Sequence, residues 1–413
     1  MNTIKLGIIG AGYRGSIHLE NCLQREDVAI EVVIEPSLIN QEKAIALFAK
    51  YNKKLPIFYK SDYPLLFKEI VLDAVIISVP WDVFPEVAKY VLRFPIYVGI
   101  EAASAQNMEL LYALKATQEN SGATCMILEN TCFHRDVMAV QNMIDQGLFG
   151  ELIHCRGGYE HDLRTVKFDE NMNYGDGVEG EASWRTHHST FRNGDLYPTH
   201  GIGPIASLLK INKGNRFTSI VSHATKAVGL KSYVEQNKGV NHPNAKDKYT
   251  LGDVVTSTLT TANGETIVLT HNTNLPRPYS LGFRVQGTKG IWIQEHGNHL
   301  HLQDKCVADE WIEKPYQVFN AYDATCWKKG QYKAAKTARH QMDYFVLDEF
   351  ISATIEKRKP KYDLYDMLTW LAISPLSELS INQNNKTIPF PDFTDGNWEN
   401  KKLTTTVTSK NND

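Results

Sequence analysis

Short apolar runs alternate with amphipathic stretches through the first part of the chain. Ile4, Leu6, Ile8 and Ile9 form the first run, and Val28 to Ile34, Asp73 to Val79, Ile96 to Ile100 and Thr124 to Leu128 repeat it. Between them lie helical patterns: one starting near Tyr13, one over Ser37 to Tyr51 with Ser37 as its N-cap, one from behind Pro80-Trp81 to Leu92, and one over Asn107 to Asn120. Continuous apolar strands separated by helices call for a parallel sheet with helices on both faces. The strand ends at Glu35, Pro80, Glu101 and Glu129 then line one carboxyl edge, where ligands bind in such sheets.

The pattern changes near residue 130. His134 to Gln146 reads as an amphipathic helix closed by Gly147. β-rich segments follow at Leu152 to Tyr159, Phe217 to His223, Asp253 to Thr261, Glu265 to His271, Ser280 to Gly287 and Gly290 to Glu295, and suit a mostly antiparallel sheet. Between them, Arg164 to Asn193 is a long polar loop whose Trp and Arg content marks it as functional. Helices return at Arg339 to Glu356 and Tyr365 to Ser380, and Lys401 to Asp413 reads as a polar, frayed tail. No internal repeat is evident.

Directly behind the first strand stands Gly10-x-Gly12-x-x-Gly15. Gly10 permits a tight turn, Gly12 lets the backbone approach a pyrophosphate, and Gly15 lets helix and strand pack closely. The phosphates would sit at the positive end of the following helix. Glu35 closes the second strand, where a carboxylate accepts from the adenosine ribose hydroxyls and repels a 2′-phosphate. The cofactor expected from this pattern is NAD rather than NADP. The expected fold class is therefore α/β, with an N-terminal Rossmann dinucleotide-binding domain over residues 1–130 and a substrate-binding, catalytic α+β domain over 131–413, whose last helices can pack back on the first.

Bulk composition narrows the class without deciding it. The 413 residues, 42% hydrophobic and 22% charged, are those of an ordinary globular protein of two or three domains. A net charge of −3 gives no electrostatic case for nucleic acid or an anionic membrane surface. No apolar run approaches the ~20 residues that span a bilayer. The first run begins at Ile4 and leaves no room ahead of it for a signal peptide, so the sequence as it stands reads as cytoplasmic, or periplasmic had a leader been removed. Six scattered cysteines, with no C-x-x-C pair, read as free thiols.

Chemistry-bearing residues concentrate in Leu128-Glu129-Asn130, Gly158 to Arg164, Ser183-Trp184-Arg185, Arg192 to Gly201 and Pro276 to Tyr279. Histidine, tyrosine, arginine and glutamate together can bind a polyhydroxylated ligand and move protons near neutral pH. Taken singly, each has a bland alternative: His161 and His200 as structural histidines, Tyr159, Tyr197 and Tyr279 as packing tyrosines, Arg185 stacked on Trp184. His187-His188 has no further ligands at metal spacing, so no metal site is expected.

These motifs resemble the Gfo/Idh/MocA oxidoreductase superfamily and, within it, glycoside hydrolase family 109, the NAD-dependent α-N-acetylgalactosaminidases. The carrying strings are Gly10-Ala-Gly-Tyr-Arg-Gly15, Pro80-Trp81, Leu128-Glu-Asn130, Asn142-Met143 with Gly147-Leu-Phe-Gly150, and Tyr159-x-His161-x-Leu-Arg164. They continue with Trp184-Arg185, Leu196-Tyr-Pro-Thr-His-Gly201, Pro276-Arg-Pro-Tyr-Ser280 and Pro391-Asp392-Phe393. The glycine string marks only the superfamily, whereas the long Leu-Tyr-Pro-Thr-His-Gly string is specific to the subgroup. The resemblance implies a large open-faced sheet in the second domain and, from the face such sheets bury between subunits, a homo-oligomer.

For activity it implies hydrolysis of a small-molecule glycoside through transient oxidation at sugar C3, loss of the C2 proton, elimination of the C1 substituent, addition of water and re-reduction. His200 is then the expected acceptor of the C3 hydroxyl proton. Tyr159 is the expected C2 base, its phenol lowered by His161 or Arg185. Glu129, Arg185, Tyr197 and Tyr279 match sugar-binding positions. Gly10, Gly12, Tyr13, Arg14, Gly15, Glu35, Trp81, Glu101 and Asn130 match cofactor contacts. Dehydrogenases of the superfamily carry Glu-Lys-Pro after the fifth strand, with lysine as base, whereas this chain has Glu101-Ala102-Ala103. The competing readings are a sugar dehydrogenase with net NADH release and a non-catalytic protein that binds NAD or sugar.

Overall fold

The computed structural model describes residues 3–400 apart from 62, 64–66, 68–69 and 338–339. The expected tail Lys401 to Asp413, and Arg339 at the expected start of a helix, lie outside those residues. Strands β1 (Ile4–Ile9), β2 (Val28–Ile34), β3 (Ile57–Tyr59), β4 (Ala74–Ile77), β5 (Tyr97–Ile100) and β6 (Thr124–Ile127) pair in parallel in the order β3-β2-β1-β4-β5-β6. Leu6, Ile8, Val32, Val33, Val75 and Ile76 are all wholly buried, which is why these strands read as unbroken apolar runs. Helices α1 (Tyr13–Leu23), α2 (Leu38–Lys50), α3 (Phe84–Val91) and α4 (Met108–Ser121) connect them. The Ser37 hydroxyl caps α2 by accepting from Asn40 N, and Asn107 caps α4 through Leu110 N. β3 lies outside the sequence expectation because it is short and no residue in it is fully buried.

The glycine turn has the expected geometry. Gly10 sits at φ +87°, and a Cβ on Gly15 would stand 1.9 Å from the Gly10 carbonyl oxygen, so α1 can follow β1 this closely only with glycine there. At Gly12 the nearest atom to such a Cβ is Asn40 Nδ2 at 3.9 Å, which leaves the backbone open on that side.

The second sheet is larger and mixed. Strands β7 (Leu152–Glu160), β8 (Phe217–Ala224), β9 (Val255–Thr261), β10 (Thr266–Asn272), β11 (Arg284–Gly287), β12 (Gly290–Gln294), β13 (Asn298–Leu302) and β14 (Ile388–Pro389) lie in the order β13-β12-β11-β7-β10-β9-β8-β14. Only β7 and β10 pair in parallel. The Ser280 to Gly287 segment is shorter than its pattern suggests: Ser280 makes one bridge to Glu160, and the strand begins at Arg284. Ahead of the sheet, α5 (Arg135–Asp145) ends near Gly147 at φ +77°.

The Arg164 to Asn193 segment is not a plain loop. It contains a helical turn at Arg164–Lys167 and α6 (Arg185–Phe191), and α7 (Thr199–Leu208) follows it. Helix α8 (Gln341–Glu356) packs against α1, β1 and the turn after β6, so a C-terminal element closes over the first sheet. The Tyr365 to Ser380 pattern is two helices, α9 (Leu364–Leu371) and α10 (Ile373–Asn382). Pro375 has no N–H to give the Leu371 carbonyl, and the break between the two helices falls at that lost hydrogen bond. All six cysteines are free, and no described helix is long and apolar enough to cross a membrane.

Candidate active site

The carboxyl edge of the first sheet forms one wall of the site. Glu35 is buried at the end of β2, where Oε2 accepts from Ala11 N at 2.6 Å and Oε1 from Ser37 N at 2.9 Å. The carboxylate is thereby tied to the glycine turn. Tyr13 and Arg14 open α1, with Tyr13 exposed. Arg14 turns its guanidinium to Glu101 at 3.1 Å and to Asp343 of α8 at 3.0 Å. Glu101 also takes hydrogen bonds from His18 Nε2 and from Ala102 N. Burial by itself would raise the Glu101 carboxyl, but Arg14 and the hydrogen bonds hold it well below the usual range. Asn130, behind β6, gives Nδ2 to Asp343 at 2.8 Å, while its buried Oδ1 has no hydrogen-bond partner among the described residues.

The facing wall comes from β7 and α7. A Cβ on Gly201 would lie 2.6 Å from Gly158 N, so the glycine pair lets the start of α7 rest directly on β7. That approach brings the His200 ring to 5.3 Å from the Tyr159 ring, with Tyr197 4.9 Å from Tyr159 and 4.8 Å from His200. The Tyr159 hydroxyl lies 3.2 Å from His161 Nδ1, and Tyr279 closes the group edge-on to His161 at 5.0 Å. Tyr279 also borders a cleft of about 340 Å³ that reaches His134, Arg277 and Gln294.

Glu129 is wholly buried behind His200, where it also accepts from Thr131 N and Oγ1 at 3.1 and 2.8 Å. Burial opposes the Glu129 charge, but His200 and these hydrogen bonds keep it below the ordinary carboxylate range. Arg185 lies 4.8 Å from the Trp81 ring and 4.7 Å from Trp184, with Nε 2.5 Å from Glu181. Trp81 in turn stacks on Tyr197 at 5.7 Å, linking the two walls.

One expectation needs correction. Neither His161 nor Arg185 brings the Tyr159 phenol down: burial pushes it up to about 12, with Arg185 pulling only partly against it. Burial also lowers the His161 imidazole, which favours its neutral form. Of the remaining chemistry-bearing residues, Arg277 is taken up by Glu160, and Arg192 by Glu378 and the Ala105 carbonyl. His188 packs against Trp81, and His187 against Phe191. Among the described residues no group of His, Cys, Asp or Glu has the form of a metal site.

The structure adds residues that carry no local signal: His18, Glu181, Asp343 and the buried Lys167. The Lys167 ammonium reaches Thr273 Oγ1 at 2.9 Å and Asn274 Oδ1 at 2.5 Å. Burial lowers it to about 7, with Arg185 adding to the shift. Each lies in an ordinary helical or polar stretch, and only packing brings it to the site.

Known proteins resemble the chain in sequence and in fold. Residues 133–400 match the family model described as glycosyl hydrolase 109, C-terminal domain. The chain is 43% identical over 416 aligned residues to a glycosyl hydrolase family 109 protein of Stenotrophomonas maltophilia, with 97% of this chain and 91% of that one covered. It is 41% identical over 409 residues to an alpha-N-acetylgalactosaminidase of Tannerella forsythia, with 96% and 87% covered. Among solved structures, levoglucosan dehydrogenase in complex with NADH superposes with a TM-score of 0.69 at 15% identity, over 95% of this chain and all (100%) of that one. Myo-inositol dehydrogenase of Lactobacillus casei in complex with NAD(H) and myo-inositol gives 0.62 at 16% identity, over 95% and 99%. At such identity the dehydrogenases share the fold. On the sequence match over nearly its whole length, the chain belongs to glycosyl hydrolase family 109.

Proposed function

We propose that the protein is an α-N-acetylgalactosaminidase that keeps NAD as a resident cofactor. Three features support NAD at the first wall: the open backbone at Gly12, the Glu35 carboxylate held at the end of β2, and the buried, unpartnered Asn130 Oδ1. When bound, NAD⁺ supplies a reversible hydride acceptor for sugar C3. The residues that would hold it are Gly10, Gly12, Tyr13, Arg14, Gly15, Glu35, Trp81, Glu101 and Asn130.

The single observation that carries the catalytic reading is the convergence of two proton-handling pairs, His200 with Glu129 and Tyr159 with His161, whose rings meet at 5.3 Å. His200 takes the C3 hydroxyl proton, and Glu129 holds the ring by Nδ1 and balances the charge it gains. A ketone at C3 makes the C2 proton acidic. Tyr159 removes that proton, and its phenolate is basic enough for a carbon acid because the site raises it to about 12. Its hydroxyl lies 3.2 Å from His161 Nδ1, which orients the phenol by a hydrogen bond. The C1 substituent then leaves, water adds across C1 and C2, and return of the hydride to C3 and of the proton from His200 to its oxygen would close the cycle with no net oxidation. Arg185, Tyr197 and Tyr279 surround the sugar, the stacked Arg185 plane and the tyrosine rings giving it donors and apolar faces.

The test is release of nitrophenol from the nitrophenyl α-N-acetylgalactosaminide without accumulation of reduced nicotinamide absorbance. Net accumulation with a free sugar would instead make the protein a dehydrogenase. His200→Ala is expected to abolish turnover while NAD stays bound. Wild-type activity in that variant would remove the assignment of His200.

A further inference from the structure

Asp343 is the third residue of α8, more than two hundred positions from the groups it holds, and is wholly buried. Its carboxylate takes Arg14 Nη2 at 3.0 Å and Nη1 at 3.3 Å, and Asn130 Nδ2 at 2.8 Å. Burial works against the Asp343 charge, but the Arg14 charge and the hydrogen bonds from Arg14 and Asn130 keep it below the usual carboxylate range, hence ionised. An ionised carboxylate only accepts, so Asn130 must turn its NH₂ toward Asp343 and its Oδ1 the other way. That Oδ1 is buried and has no partner among the described residues, which is the mark of a missing donor.

The strand order locates the missing donor. Glu35 stands at the end of β2, on the adenosine side of β1. Asn130 follows β6, on the far side beyond β4 and β5, where the second mononucleotide half of a dinucleotide lies in such a sheet. The donors there are the carboxamide N–H and ribose hydroxyls of the nicotinamide half.

We propose that Asp343 is a positioning residue that fixes the facing of the Asn130 amide and so makes Asn130 Oδ1 the acceptor for the nicotinamide half of NAD. The proposal rests on the reading that this site holds NAD. It ties the second half of the cofactor site to α8, an element that belongs in sequence to the far end of the chain. Asn130 touches the cofactor, whereas Asp343 acts through it.

The experiment is calorimetric titration of the cofactor-stripped full-length protein with NAD⁺ and, separately, with ADP, which lacks the nicotinamide riboside. Asn130→Ala and Asp343→Asn are each expected to raise the Kd for NAD⁺ about tenfold and the Kd for ADP less than about twofold. The double variant should bind NAD⁺ no worse than the weaker single, because both changes remove one interaction. Equal losses for NAD⁺ and ADP would reveal a structural role only and overturn the proposal, as would additive losses in the double variant. Should Asp343→Asn fail to fold, Asn130→Ala still decides: without a loss selective for NAD⁺, the orphan oxygen has no ligand. A wild-type protein that binds neither nucleotide overturns the NAD reading itself. Binding of both, with no selectivity in the variants, overturns only the role given to Asp343 and Asn130.

Discussion

His200 Nδ1 lies 2.8 Å from one carboxylate oxygen of Glu129 and 2.9 Å from the other. The histidine side chain keeps 16% exposure while the glutamate has none. Glu129 therefore stands behind the ring. It holds the proton on Nδ1, which leaves Nε2 as the basic nitrogen. Glu129→Gln retains an acceptor for Nδ1 and removes the charge. We expect kcat to fall about 10²-fold or more, in the range of acid–base catalysis, with the Kd for NAD⁺ unchanged. Steady-state kinetics beside calorimetry checks this, and an unchanged kcat would reduce Glu129 to a packing group.

Tyr159 is raised to about 12, so the phenolate fraction grows about tenfold per pH unit through neutrality. Activity of the wild type is expected to climb from about pH 6 to about pH 9. Tyr159→Phe keeps the ring against Tyr197 and His200 but removes the base, and with it the exchange of the C2 proton for solvent deuterium. Mass spectrometry of recovered substrate reads that exchange directly. Persistence of exchange in the phenylalanine variant would pass the role to another group.

The glycines of the first turn separate folding from binding. At Gly15 an added methyl meets the Gly10 carbonyl at 1.9 Å, and backbone must move, so Gly15→Ala should cost about 1–3 kcal/mol and lower Tm. At Gly12 the same methyl meets nothing closer than 3.9 Å, so Gly12→Ala should melt within a degree or two of wild type and yet bind NAD⁺ more weakly. A Gly12→Ala protein with unaltered affinity would move the pyrophosphate elsewhere.

Lys167 gives a pH signature in stability. Its folded value of about 7 lies below the ordinary lysine value, so between about pH 7 and pH 10 the unfolded chain binds a proton that the folded chain does not. Stability contributed through this group rises with pH across that window and is lowest below pH 7, where the folded state must bury an ammonium. The span is on the order of a few kcal/mol. Denaturant melts of wild type and Lys167→Met should show the wild type gaining relative to the variant as pH rises from about 7 to about 10. A constant difference would mean that the lysine is charged in both states throughout.

Much of the first sheet was legible because its signals are local. Apolar runs that fill a doubly covered strand, Ser37 and Asn107 at helix starts, and the glycine turn each depend on a few neighbouring residues. β3 escaped because three residues with no full burial leave no pattern. The α9–α10 break was readable in principle from Pro375, and the helices within Arg164 to Asn193 were masked by polar composition. The candidates Tyr159, His161, Tyr197, His200 and Tyr279 were singled out by type and motif, and the fold draws them into one cluster. Their electrostatics were not readable, since a tyrosine in sequence carries no record of the burial that raises it.

The order of residues alone settled what short-range physics can settle: the period of each element, the caps, the turn that only glycine can make, and the repertoire of side chains able to move protons. Packing decided which of those side chains meet. Gly201 resting on Gly158 sets the distance from His200 to Tyr159, and α8 carries Asp343 to Arg14 and Asn130 across the whole length of the chain. Such contacts depend on how two sheets and their covering helices close together, and hydrogen bonding and charge at the site respond to the desolvation this closure imposes.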